Sequence, residues 1–178
     1  RLTIDSNGYV GLSNTLPSAY YAKDLVISCG DEGGVTIKGG TTETQYIMFA
    51  DGTTGADRYS GYIGYDHNIN SMRFATASGV LRMVIDSAGN VGINTSSPSS
   101  YLAELVVSSL DDRGITIVNA VDERGWLSFA DGTTGNEKYR GYINYDHDVD
   151  KMVIGTAGTT SMSLDSTGDL DVVGALSK

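Results

Sequence analysis

The heptapeptide FADGTTG stands at residues 49–55 and again at 129–135, and GYIGYDHNIN at 61–70 returns as GYINYDHDVD at 141–150. Both shifts, 49 to 129 and 61 to 141, are of 80 residues. RLTIDSNGYVGL at 1–12 comes back as RMVIDSAGNVGI at 82–93 and, more worn, as SMSLDSTGDLDV at 161–172. Between these anchors Leu25-Val26-Ile27-Ser28 matches Leu105-Val106-Val107-Ser108, and Gly34-Val35-Thr36-Ile37 matches Gly114-Ile115-Thr116-Ile117. A fixed period of this size is the signature of a repeat architecture, in which length is gained by restating one supersecondary unit. We place one copy at 1–81, a second at 82–161 and the start of a third at 162–178. The segments 38–45 and 118–125 differ most between copies.

Within each copy, short apolar and β-branched runs alternate with polar residues and stop at glycine-containing turns, the pattern of strands. The chain holds 23 Gly and 11 Tyr against 2 Pro. In RMVID, Met83 and Ile85 point one way and Arg82, Val84 and Asp86 the other, so we expect the face of Met83 and Ile85 to be buried. DSNG at 5–8, DSAG at 86–89 and DSTG at 165–168 pair a carboxylate that accepts backbone N–H bonds with a glycine suited to positive φ. The strands Tyr46–Phe49 and Trp126–Phe129 run into the DGTTG turns. Around Pro17 and Pro98, serines of N-cap type introduce at most one helical turn. The expected fold is all-β, of short strands with minimal helix. An 80-residue unit with few large apolar residues closes a core poorly alone, which points to stacking or oligomerisation.

The formal net charge is −10, and basic residues are not clustered, which argues against nucleic-acid binding. No apolar run approaches the roughly 18 residues of a membrane span, so membrane insertion is not expected. Cys29, the single cysteine, is expected to pack as a small apolar residue. The chain opens on Arg1, inside a patterned strand, and is expected to be a piece of a longer polypeptide.

The segments 66–70 and 146–150 alternate oxygen-bearing side chains as a calcium loop does, but Ser71 and Lys151 stand where its glycine belongs and Ala77 and Ala157 where its final acid belongs. A hairpin turn accounts for them, with His67 and His147 as turn residues. Asp51, Asp57, Asp66 and Asp86 qualify as paired glycosidase acids only by residue type. Neither enzyme activity nor a cofactor or metal is expected. Tyr59, Tyr62 and Tyr65 recur as Tyr139, Tyr142 and Tyr145, and we expect these rings to pack between chains. Trp126, Tyr65, Tyr145, His67 and His147 are the candidate glycan contacts.

The element R-x-x-I-D-S-x-G-N-V-G-I-N-T-S-S-P at 82–98, with FADGTTG and YRGYINYDHDVDKMVIGTAG after it, resembles the stalk repeat of phage tail-fibre and tailspike proteins. Many of these end in a self-cleaving intramolecular chaperone, which here would lie beyond Lys178. The resemblance implies an elongated parallel homotrimer of β-prism or β-sandwich-like segments, on the virion and extracellular, that joins other tail proteins and serves host attachment. The alternatives are a carbohydrate-binding module that meets host-surface glycans and a bacterial trimeric adhesin stalk. The adhesin stalk predicts coiled-coil heptads, which the sequence lacks.

Overall fold

The computed structural model describes residues 1–22, 24–30 and 32–174. The chain is all-β, with its strands in three sheets. One sheet holds β1 (Leu2–Ile4), β2 (Val10–Leu12) and β3 (Leu25–Ile27). The second runs in sequence order through β4 (Thr44–Phe49), β5 (Gly61–Asp66), β6 (Ser71–Thr76), β7 (Val80–Ile85), β8 (Val91–Ile93) and β9 (Leu105–Val107). The third runs through β10 (Arg124–Phe129), β11 (Gly141–Asp146), β12 (Lys151–Thr156), β13 (Thr159–Leu164) and β14 (Leu170–Val172). None closes on itself, because each strand order is linear.

The period reappears in the elements. β4, β5 and β6 are matched by β10, β11 and β12, with Ile47↔Ile63 and Leu127↔Ile143 paired in the same antiparallel register. β1 to β3 correspond to the end of β7 together with β8 and β9, and both sets finish on a parallel pair, β2 with β3 and β8 with β9. The chain divides into two compact units, Arg1–Leu110 and Asp111–Lys178. The junction of sequence copies at 81/82 lies inside β7. A repeat has a period but no intrinsic phase, and hydrogen bonding sets the phase of the sheets.

The Asp-Ser-x-Gly segments form the expected turns. Asp86 Oδ1 accepts the N–H groups of Ala88 and Asn90, both at 2.9 Å, and Gly8, Gly89 and Gly168 take positive φ of 85°, 89° and 89°. Pro17 and Pro98 each open a three-residue 3-10 turn, but neither is capped by a serine side chain. Leu16 holds the cap position of the first, and Ser97 makes no capping bond in the second. Both prolines are buried instead, which fixes the crossover by packing rather than by a cap. Two longer 3-10 turns, Gly55–Tyr59 and Gly135–Tyr139, follow the DGTTG segments. Cys29 is exposed, contrary to the expectation of packing, because it lies in the irregular stretch after β3, outside any sheet.

The sheet faces differ in kind. Residues paired across β4 to β9 alternate sides, so Ile47, Ile63, Phe74, Met83 and Ile93 share one face while Tyr46, Gly64, Arg73, Val84 and Gly92 share the other. Within the chain the second face is the one covered: Val84 is 1% exposed and Ser71 1%, and Val106 is buried too. The expectation for RMVID is therefore reversed inside the chain, since Met83 and Ile85 remain half-buried. Small residues allow the close cover. A Cβ on Gly92 would stand 2.7 Å from the Thr95 carbonyl oxygen and 3.1 Å from Val84 Cγ1.

Candidate functional site

Large side chains of the first face remain uncovered. Ile47 is 52% exposed, Phe49 56% and Leu105 57%, and in the third sheet Leu127, Phe129, Leu164 and Leu170 are exposed as well. In the first sheet the matching residues Leu2, Ile4 and Leu25 are exposed too. Chains that stay monomeric seldom leave so many large apolar groups in water.

Two of the candidate pairs lie on this apolar face. Tyr65 and His67 join Val35, Ile37, Ile63 and Met72 around an open trough of about 310 Å³. Tyr145 and His147 join Ile117, Leu127, Ile143 and Met152 around its counterpart of about 410 Å³. The rings meet edge to face, with centroids 4.8 Å apart for Tyr65–His67 and 4.9 Å for Tyr145–His147. Each phenol donates into the turn that follows its strand, Tyr65 to Asn70 Oδ1 at 3.4 Å and Tyr145 to Asp150 Oδ1 at 3.1 Å. That bond to a carboxylate, followed by desolvation and the charge of Asp150, pushes the Tyr145 phenol above its ordinary range.

Trp126 is not part of that group. It pairs with Asn144, whereas Tyr145 pairs with Gly125, so Trp126 and Tyr145 occupy opposite faces of the same two strands. Trp126 packs at 5.0 Å on Tyr142 and at 6.3 Å on Tyr139. Tyr142 is only 6% exposed and already buried in its own chain, so the expectation that this ring packs between chains is not met. The equivalent pair is Tyr46–Tyr62, with centroids 5.0 Å apart.

Three of the four acids considered for hydrolysis are engaged in local structure. Asp66 pairs with Arg73 at 2.9 Å, Asp51 accepts the Ser60 hydroxyl, and Asp86 holds its turn. The calcium-like segments are turns: Asp66 Oδ1 accepts the Asn68 N–H at 3.0 Å, and Asn70 and Asp150 adopt positive φ. Sequence reasoning missed Asn144 and Arg124. Arg124 Nε donates to Asp146 Oδ2 at 2.7 Å, and Asn144 is 4% exposed with an Oδ1 that has no hydrogen-bond partner. The single departure of GYINYD from GYIGYD was the available signal.

No family model matches the chain, and no curated protein matches it. Among the described residues no helix is long and apolar enough to cross a membrane.

Proposed function

We propose that the chain is a shaft segment of a homotrimeric viral tail fibre, an elongated repeat-built structural protein of the virion that serves host attachment. One observation carries the reading. The apolar face keeps its character between copies although the chain itself leaves it open: Ile47/Leu127, Phe49/Phe129, Ile63/Ile143, Met72/Met152, Met83/Met162 and Ile85/Leu164. The covered face keeps Tyr62/Tyr142 and Asp66/Asp146 but has drifted at Gly64/Asn144, Ser71/Lys151, Arg73/Val153 and Val84/Ser163. Burial by the chain's own atoms does not explain which face is held constant. Burial against further copies does, because three identical apolar faces turned to a common axis would remove them all from water.

The irregular segments 34–38 and 114–118 support the same reading. They carry Val35, Ile37, Ile115 and Ile117, all exposed, and belong to no ladder of the chain. A backbone stretch outside any ladder can add to a neighbouring sheet edge. Partners are thus two further copies, with other tail proteins at the ends of the shaft, and the setting is extracellular. Analytical ultracentrifugation tests the assignment. The expected species has three times the 18.8 kDa of one chain and the high frictional ratio of a rod. A stable monomer overturns it.

A further inference from the structure

The covered face carries, within residues 111–178, a cleft of about 360 Å³ formed by Arg124, Trp126, Asn144, Asp146, Asp148 and Lys151 together with neighbouring side chains. We propose that this cleft binds a neutral saccharide ring, a pyranose seated against Trp126 with its hydroxyls bonded to Asn144 and the flanking charged groups.

Asn144 is the first ground. It comes from the middle of β11, is 4% exposed, lines the cleft, and carries a buried Oδ1 with no hydrogen-bond partner in the chain. Buried polar groups in folded proteins are almost always satisfied, and an exception marks a place where a partner is missing. A hydroxyl group supplies that partner.

The electrostatics give the second ground. Arg124 and Lys151 are balanced by Asp146 and Asp148, so the lining has no net charge and favours neither an anion nor a cation. Arg124 and Asp146 hold one another at 2.7 Å, which fixes a planar donor array beside a planar acceptor. Trp126, 40% exposed, adds an apolar surface to this polar rim. One apolar wall with convergent donors and acceptors suits a ligand having one C–H face and an equator of hydroxyls.

The other copy supplies the third ground, because its strand register is the same and its chemistry is not. Positions 124, 126, 144, 148 and 151 correspond to Thr44, Tyr46, Gly64, Asn68 and Ser71. There the ring of Tyr46 lies over Gly64, so close that a Cβ would stand 2.9 Å from its Cδ1, and the space held by the Asn144 side chain does not exist. Asp66 turns to Arg73, whose counterpart is Val153. The site belongs to one copy, and the other is its internal control.

Trp126 is the only tryptophan, so its emission reports the cleft directly in the intact chain. The probes are the methyl glycosides of glucose, galactose, mannose, fucose, N-acetylglucosamine and N-acetylgalactosamine, with sialic acid and inorganic phosphate as charged controls. The expected result is a saturable emission shift with at least one neutral ring. Asn144→Gly, which restores the residue of the other copy, weakens it about tenfold. Calorimetry on Trp126→Tyr shows a comparable loss. Silence with all six neutral rings, equal affinity in Asn144→Gly, or a response to the charged probes alone overturns the assignment. The cleft lies within one unit of one chain, so this outcome is independent of the sedimentation result.

Discussion

Val84 and Ile85 are neighbours in β7 that face opposite ways, and substituting each separates stability within the chain from association between chains. Val84 is 1% exposed, so Val84→Ala removes two buried carbons at roughly 0.8 kcal/mol each and leaves a cavity, for a loss of about 2–3 kcal/mol in every chain. Ile85 is half-buried in the single chain, and its replacement costs the isolated fold only about 1 kcal/mol. In a trimer closed on the apolar face, Ile85→Asp forfeits the remaining burial of that side chain, about 1 kcal/mol in each of three chains, and adds a desolvated carboxylate to each. The sum, about 3 kcal/mol before the carboxylates are counted, lowers the association constant by at least roughly two decades. Sedimentation velocity across a dilution series, with urea unfolding of both variants, reads the two effects apart. Val84→Ala should lower the unfolding midpoint and keep the trimer, whereas Ile85→Asp should abolish the trimer. If Ile85→Asp sediments as the unaltered chain does, the apolar face is not the closing surface.

Gly92→Ala places a Cβ 2.7 Å from a backbone carbonyl oxygen that cannot move aside, and should cost about 1–3 kcal/mol of stability by chemical denaturation. Acid should loosen the Asp-Ser-x-Gly turns. The Asn90 side-chain amide, with the backbone N–H groups of Asn90 and Ala88, holds the Asp86 carboxyl below its usual range against the opposing effect of desolvation, and the Thr167 hydroxyl and Asp169 N–H do the same for Asp165. A folded-state value below the unfolded one means that the stabilisation is present above about pH 4 and is lost as pH falls through the folded value. Thermal melts from pH 6 downward should therefore show a smaller acid-induced drop in Asp86→Asn than in the unaltered chain, and an identical drop would refute the assignment. Hydrogen exchange should find the amides of 35–37 and 115–117 protected in the assembled protein, although no ladder of the single chain includes them. Random-coil exchange there would remove these segments from the assembly surface.

The turns and strand positions were legible because their chemistry is local. An aspartate followed three residues later by a glycine needs nothing from the rest of the chain to prefer a turn, and β4 and β10 extend only two residues beyond the alternation that announced them. What depended on distant partners was not legible. Val84 reads as the solvent-facing member of RMVID, yet it is buried, because Gly92 across the sheet has no Cβ to hold off the turn that begins at Thr95. The 3-10 turn at Gly135–Tyr139 did have a local signal, the spacing of Thr134 and Glu137, whose carboxylate accepts the threonine hydroxyl at 2.7 Å. The candidate glycan contacts were grouped by residue type. The two-residue alternation of strands then separated Trp126 from Tyr145, and a buried amide absent from that list lies opposite the tryptophan.

The linear strand order has a mechanical consequence. Because β4 to β9 follow one another in sequence and in space, the chain enters the six-stranded sheet at one edge and leaves at the other. The sheet advances the chain sideways by five strand spacings, about 24 Å, whereas the same residues drawn out would reach on the order of 200 Å. Tension on the two ends falls first on β4 and β9, the strands held along a single side, and would peel them rung by rung. Each such sheet is thus a reserve of slack that yields about eightfold in length before any covalent bond is loaded.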